Sequence, residues 1–279
     1  MKKLTIHCGD WSAVLLTEFG MNTVSLRCGD TPILREPATD SAFAKDPLLY
    51  GIPVIFPANR THGARFTFEG VEYKLPMTEP ERNNNLHGSL YNTAFEVCCV
   101  TENSVVSRIV NRGEHYPFDF TLTFTDTVTP DGYLREAVLT NDGCITMPYT
   151  FALHSTFTEP DIFTVPVGIR YEWDENYIPT GKTAELDSFE QTLLTGCTLD
   201  GHLISAPYTS TGNTATIDGY RLTVSNNFDE WVFYNGEGDE GYLCIEPQCG
   251  EINGLNTDGH RTLRAEESVK FTFEITKCK

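Results

Sequence analysis

Alternation of apolar and polar residues with a period of two, interrupted by tight-turn dipeptides, is the feature of this chain that most restricts its fold. In Phe118-Asp119-Phe120-Thr121-Leu122-Thr123-Phe124 the apolar side chains fall on every second position, as do Val269, Phe271, Phe273 and Ile275. That period sets one face of a strand on a core and the other in water. Turn signals separate such runs: Glu69-Gly70 between Phe66-Thr67-Phe68 and Val71-Glu72-Tyr73, Pro130-Asp131-Gly132 before Tyr133, and Asp218-Gly219 between Ile217 and Tyr220. These predict β-hairpins. Thr183 to Leu194 is the one candidate helix, and it is weak, because Asp187, Ser188 and Thr192 are poor interior helix residues. No linker, internal repeat or low-complexity tract divides the 279 residues. A length prior of roughly 150 residues per domain suggests two domains, but all-β domains reach about 250. The reading is one antiparallel all-β domain over 1–279, a sandwich or a barrel.

Charge narrows the partners. Lys plus Arg is 20 and Asp plus Glu is 39, a formal net charge of −19, which repels phosphate backbones and anionic lipid surfaces. Neither nucleic acid nor a membrane is expected as a partner. The start, Met1-Lys2-Lys3-Leu4-Thr5-Ile6-His7-Cys8-Gly9-Asp10, is positive like a signal peptide, but His7 and Asp10 interrupt the apolar run that would follow. The most apolar stretch, Leu48 to Phe56, contains Gly51 and Pro53 and is too short to span a bilayer as a helix. Nine cysteines, with a vicinal pair at Cys98-Cys99 and no CxxC, indicate neither a disulfide framework nor a zinc site. Reduced thiols in the cytoplasm are the expectation.

Gly236-Glu237-Gly238-Asp239-Glu240-Gly241 matches the dinucleotide fingerprint letter for letter, yet the strand-like Tyr242-Leu243-Cys244-Ile245 follows where a helix is needed. Three carboxylates would also stand where phosphates belong, so an acidic hairpin loop is expected. No GxSxG elbow and no HExxH is present. Any chemistry must therefore come from groups far apart in sequence.

Three segments place a titratable group among amides or aromatics: Asn83-Asn84-Asn85-Leu86-His87-Gly88, Pro148 to Phe157 with His154, and Cys244-Ile245-Glu246-Pro247-Gln248-Cys249-Gly250. Each has a plain structural explanation: a solvated turn for the asparagines, a hydrogen-bonded core histidine for His154, and a solvent face for Glu246 and Gln248. The last pair is the hardest to dismiss, since strand alternation points a carboxylate and an amide the same way.

Read together with Gly51-Ile52-Pro53-Val54-Ile55-Phe56-Pro57-Ala58-Asn59-Arg60, these segments resemble the galactose mutarotase (aldose 1-epimerase) family from about residue 50 onward. The resemblance implies a large antiparallel β-sandwich of the galactose mutarotase-like supersandwich type, with a concave face that holds a monosaccharide. It implies His154, in His154-Ser155-Thr156-Phe157, as general acid and Glu246 as general base. Arg60 with the preceding Asn59, His87 in Leu86-His87-Gly88, and Gln248 become substrate-binding residues. Tyr177-Ile178-Pro179-Thr180-Gly181 is similar to the family's Ile-Pro-Thr-Gly connection, and Asp200 in Leu199-Asp200-Gly201-His202 is the best match for its substrate-binding aspartate. An Asp-Gly turn explains the same residues without a ligand. Gly88-Ser89 replaces the usual double glycine, and Pro247-Gln248-Cys249 replaces the usual Pro-Asp-Ala pattern; both mark a divergent branch.

The implied reaction interconverts the α and β anomers of an aldohexose through ring opening and closure. One proton is removed and one delivered, so no cofactor and no metal are expected. Tyr50, Phe56, Tyr149 and Phe157 are candidates to stack on the sugar, with core packing ranked first. Arg60 is the only basic residue in the motif segments, which favours a neutral aldose over a hexose phosphate unless Arg65, Lys74 or Arg82 converge on the rim. A hexose-phosphate epimerase and a non-catalytic carbohydrate-binding protein are the alternatives, and the quaternary state is expected to be monomer or homodimer.

Overall fold

The alternating runs become the longest strands of the computed structural model, which describes residues 1–278. Phe120–Thr129 and Gly132–Asn141 pair antiparallel with Leu122 opposite Leu139 and Phe124 opposite Ala137, and every second residue of Phe120–Thr129 is buried. They sit inside an eight-stranded antiparallel sheet ordered Glu96–Val100, Ser104–Asn111, Phe120–Thr129, Gly132–Asn141, Ser268–Lys277, Tyr220–Val224, Thr214–Ile217, Phe163–Thr164. A second sheet runs Pro179–Ala184, Val167–Trp173, Ser205–Ser210, Glu230–Tyr234, Tyr242–Cys249, Phe151–Leu153, Val54–Ile55, and Thr156–Thr158 also pairs with Tyr242–Cys249. A four-stranded N-terminal sheet, Lys3–Cys8, Trp11–Leu16, Asn22–Cys28 and Thr31–Pro32, lies against the Phe120–Asn141 hairpin.

Aromatic contacts join the sheets. Phe151 of the second sheet stacks on Phe271 of the first with ring centroids 4.4 Å apart, and Phe56 meets Phe120 at 4.9 Å. Each such buried ring contributes about 1.5–3 kcal/mol over its exposed state. The three hairpin turns form where the turn dipeptides predict them. At Glu69-Gly70 and Asp218-Gly219 both residues have positive φ, the backbone twist that two-residue hairpins favour. The weak helix candidate is corrected: Thr183 and Ala184 end a strand, and Glu190–Leu194 is a short 3-10 turn. Gly236 to Gly241 links the antiparallel neighbours Glu230–Tyr234 and Tyr242–Cys249, with Glu237, Asp239 and Glu240 in solvent. No helix among the described residues is long and apolar enough to cross a membrane.

A buried ion pair ties the layers together. Asp126 and Arg135 face each other across the central hairpin, both fully buried. Arg135 Nε donates to Asp126 Oδ1 at 2.7 Å, Nη1 to the Ile52 carbonyl at 3.1 Å, and Nη2 to the Met21 carbonyl and Thr23 Oγ1. The Tyr133 hydroxyl donates to Asp126 as well. One guanidinium thus pins the N-terminal sheet and the segment entering Val54–Ile55 to the first sheet. Removing one partner of such a pair strands a buried charge, at a cost of about 3–5 kcal/mol. Asp126→Ala should accordingly lower the denaturant midpoint sharply, and pairing it with Arg135→Met should recover much of the loss. Equal midpoints for wild type and Asp126→Ala would show that the pair does not hold the layers.

Candidate active site

The strand Tyr242–Cys249 is buried along its whole length, although Glu246 and Gln248 lie within it. An antiparallel strand is buried on both faces only when something covers the face away from the core. Here Pro47 to Leu49, Arg60, His87 and Tyr177 rise over it and enclose a cavity of about 430 Å³, within the usual range for a small-ligand site.

His154 and Glu246 form the floor. His154 follows Phe151–Leu153, with its N–H held by the Pro53 carbonyl at 2.9 Å, and its Nε2 lies 3.2 Å from Glu246 Oε1. Both are nearly inaccessible, at 4% and 3%. Burial dominates their titration: it pushes His154 down to about 4 and Glu246 up to about 8, the latter opposed by the Arg60 charge. Both shifts favour uncharged forms. Burial thus favours the form of the pair in which His154 is neutral and a proton rests on Glu246. Burial makes the Glu246 carboxylate a stronger base, whereas His154 is less easily protonated than a free imidazole.

His87 stands edge-on to His154 with ring centroids 5.3 Å apart. Burial, the His154 charge and the Arg60 charge together hold it well below the ordinary imidazole value. Its backbone has φ +63°, and its N–H donates to the Asn59 carbonyl at 2.7 Å. The next residue must be glycine: a Cβ on Gly88 would lie 1.9 Å from the Phe56 carbonyl oxygen. That close approach seats the Leu-His-Gly segment on the Pro-rich one.

Arg60 is clamped. Nε and Nη2 each donate to one oxygen of Glu79 at 2.9 Å, and Nη1 reaches Asn59 Oδ1 at 3.4 Å. Its guanidinium covers the Tyr177 ring at 4.6 Å, and Arg82 also lies against that ring, at 4.8 Å. Glu79 is itself held by Asn84 Nδ2, which also donates to the Asn176 carbonyl. The asparagine run is therefore not a solvated loop: Asn84 and Asn85 are buried, and Asn84–Leu86 pairs with Arg60–His62. Nothing in the sequence around Glu79 marks it; the need of a partly buried Arg60 for a carboxylate partner was the available signal.

Asn59, Arg60, His87, His154 and Glu246 all line the cavity, but two expected substrate-binding residues do not. Gln248 shares the Glu246 strand face but sits about 7 Å farther along the strand. There its amide nitrogen donates to Glu230 Oε2 at 3.0 Å and to the Gly250 carbonyl at 2.8 Å. Asp200 is exposed in an Asp-Gly turn and accepts from Thr198 Oγ1 at 2.7 Å. Phe56, Tyr149 and Phe157 are core residues, and Tyr50 packs against Phe43 and Arg35. The aromatic walls are instead Tyr91, Trp173, Tyr177, Phe233 and Tyr234. Arg82 and Lys45 also reach the cavity, so Arg60 is not its only cation. Each has carboxylates nearby: Glu79 and Glu81 at 3.4 and 3.7 Å from Arg82, and Asp46 at 3.8 Å from Lys45.

The raised Glu246 value has a consequence for stability. Its ordinary value is near 4.5, so between about pH 4.5 and about pH 8 the unfolded chain releases from Glu246 a proton that the folded chain retains, and this group's contribution to stability falls as pH rises. Glu246→Gln removes this slope. Its thermal midpoint should exceed that of wild type by a margin that grows across this window and levels off above it. A margin independent of pH would contradict the burial effect.

Comparison with known proteins agrees with the geometry. A profile of the aldose 1-epimerase family matches residues 2–276. The uncharacterized protein YihR of Escherichia coli (strain K12) is 26% identical over 226 residues, which span 76% of this chain and 73% of YihR. A solved galactose mutarotase-like protein from Clostridium acetobutylicum superposes with a TM-score of 0.88 at 22% identity, covering 98% of this chain and 94% of that one. The GalM/aldose epimerase homologue from C. elegans gives 0.82 at 17% identity, covering 100% and 99%. These two structures establish the likeness of fold.

Proposed function

We propose, from the premise that this chain belongs to the aldose 1-epimerase family, that it interconverts the α and β anomers of a neutral aldohexose with His154 and Glu246 as acid and base. The observation that carries this is the 3.2 Å between His154 Nε2 and Glu246 Oε1. Groups this close address two oxygens bonded to one carbon, as the ring oxygen and anomeric hydroxyl of a pyranose are. The paired carboxylates of glycoside hydrolysis stand about 5–5.5 Å or 6.5–9.5 Å apart to flank a leaving group and a water, and this pair leaves no such room.

The steps balance. The proton first passes from Glu246 Oε1 to His154 Nε2 across 3.2 Å; the Glu246 carboxylate then takes the proton of the anomeric hydroxyl, the carbon–oxygen double bond forms, the bond from that carbon to the ring oxygen breaks, and the ring oxygen takes the proton from His154. Rotation about the bond to the aldehyde carbon presents its other face, and closure returns both protons. The pair ends each turnover with the proton count it began with. Arg60, fixed by Glu79, favours the ionised form of Glu246 and donates to substrate oxygens, with His87 beside it on the paired strand end. Donors held in place before reaction are most effective in a dry pocket. The chemistry proceeds with these side chains alone, and the chain acts on a free monosaccharide.

A second reading, an aldose bearing an anionic group, is favoured by Lys45 and Arg82 at the cavity. The carboxylates beside both cations favour the neutral substrate. Polarimetry on freshly dissolved α-glucose and α-galactose tests the proposal. Glu246→Gln and His154→Asn should each lower kcat by about 10²–10⁴-fold while unfolding cooperatively, and the double variant should lose little more than either single one. A near wild-type rate in either variant removes that residue from the mechanism. In the same assay, a kcat/KM at least about tenfold higher for glucose 6-phosphate, equivalent to about 1.4 kcal/mol, would replace the neutral reading by the second.

A further inference from the structure

We infer that His154, Cys244 and Glu246 form a binding site for a borderline divalent cation such as zinc or cobalt, and that its occupation shuts down the sugar chemistry. Strand geometry brings the three together. Cys244 and Glu246 are two residues apart on the same face of Tyr242–Cys249, and Thr156 pairs with Cys244 as the chain continues from His154. One ligand atom from each, an imidazole nitrogen, the thiol sulfur and a carboxylate oxygen, lies within 4.8 Å of the other two, and all three residues are buried.

The spacing suits a tetrahedral ion. Bonds of about 2.0–2.2 Å to nitrogen and oxygen and about 2.3 Å to sulfur give ligand–ligand edges of about 3.3–3.6 Å. The His154–Glu246 edge is already 3.2 Å. Even at the 4.8 Å limit the thiol is only about 1.2 Å from closing its own edges. Cys244 Sγ is engaged only loosely, 3.4 Å from Thr156 Oγ1, and the set of one imidazole, one thiolate and one carboxylate is the mixture that zinc and cobalt accept. His154 and Glu246 face the cavity, so the fourth position opens into the space where the sugar binds. Three protein ligands with one open position form a reversible site, and binding releases to solvent the thiol proton and the proton held on Glu246.

The ion would occupy His154 Nε2 and Glu246 Oε1, the same two atoms that move protons in the proposed reaction. It is therefore an inhibitor competitive with sugar. The inhibition rests on the functional reading above; the binding does not.

The test uses the full-length protein, stripped with chelator and titrated with cobalt, then with zinc. Wild type should bind one equivalent of cobalt with tetrahedral visible bands and a thiolate charge-transfer band in the near ultraviolet. Zinc should displace the cobalt, and sugar should weaken binding of both. Cys244→Ser and Cys244→Ala should retain anomer exchange, lose the charge-transfer band, and need at least about tenfold more zinc for half inhibition, because altering even a group behind a ligand costs 10–100-fold in metal affinity. Absence of stoichiometric cobalt binding in wild type, or the same spectrum and affinity in both Cys244 variants, overturns the inference. Cobalt binding with these signatures in a protein that exchanges no anomers supports the metal site and refutes the functional reading instead.

Discussion

The Arg135–Asp126 pair is the constraint on which the rest of the arrangement depends. A charge without water must be met on every side, and Arg135 is met by a carboxylate on its own sheet and by carbonyls at Met21 and Ile52. Those carbonyls belong to the N-terminal layer and to the segment that runs into Val54–Ile55, Asn59 and Arg60. Phe151–Leu153 pairs with Val54–Ile55, and the His154 N–H bonds the Pro53 carbonyl. A polar network in the middle of the sandwich thus links the first sheet to the strand pair that presents His154.

The site draws on the same physics in the opposite sense. Around Arg135 the low-dielectric interior is offset by an ion pair and several hydrogen bonds, whereas at His154 and Glu246 it is left to act on protonation. Burial lowers the imidazole and raises the carboxyl, which favours the uncharged form of each. Arg60 sits close enough to oppose the shift of Glu246, and its bidentate bond to Glu79 prevents it from collapsing onto that carboxylate. The pocket is an acid and a base held apart from water by an arginine clamp and a wall of aromatic rings.

Much of this was legible in the sequence, and the failures have a common cause. Period-two alternation identified the long strands because side-chain direction in a strand is a local property, and the turn dipeptides identified the hairpins for the same reason. Alternation also placed Glu246 and Gln248 on one face correctly, but a face is longer than a pocket, and two residues along the strand bring Gln248 to Glu230 rather than to the cavity. Asp200 shows the complementary failure, since a motif letter in a turn carries no information about where the turn is in space. Glu79 and Lys45 were missed as parts of the site, and Arg82 was only one of three cations that could reach the rim, because their placement depends on loops that converge only after both sheets have formed. Cys244 stood in plain view beside Glu246, but its proximity to His154 depends on strand pairing.

The account's central claim is that His154 and Glu246 flank the anomeric centre of an aldose. A crystal structure of the wild-type protein with a bound aldohexose tests it directly. The claim predicts the ring oxygen within about 2.6–3.2 Å of His154 Nε2 and the anomeric hydroxyl at the same distance from a Glu246 carboxyl oxygen, with Arg60 and His87 on neighbouring hydroxyls. A sugar seated elsewhere, with His154 and Glu246 still in mutual contact at 3.2 Å, would contradict it.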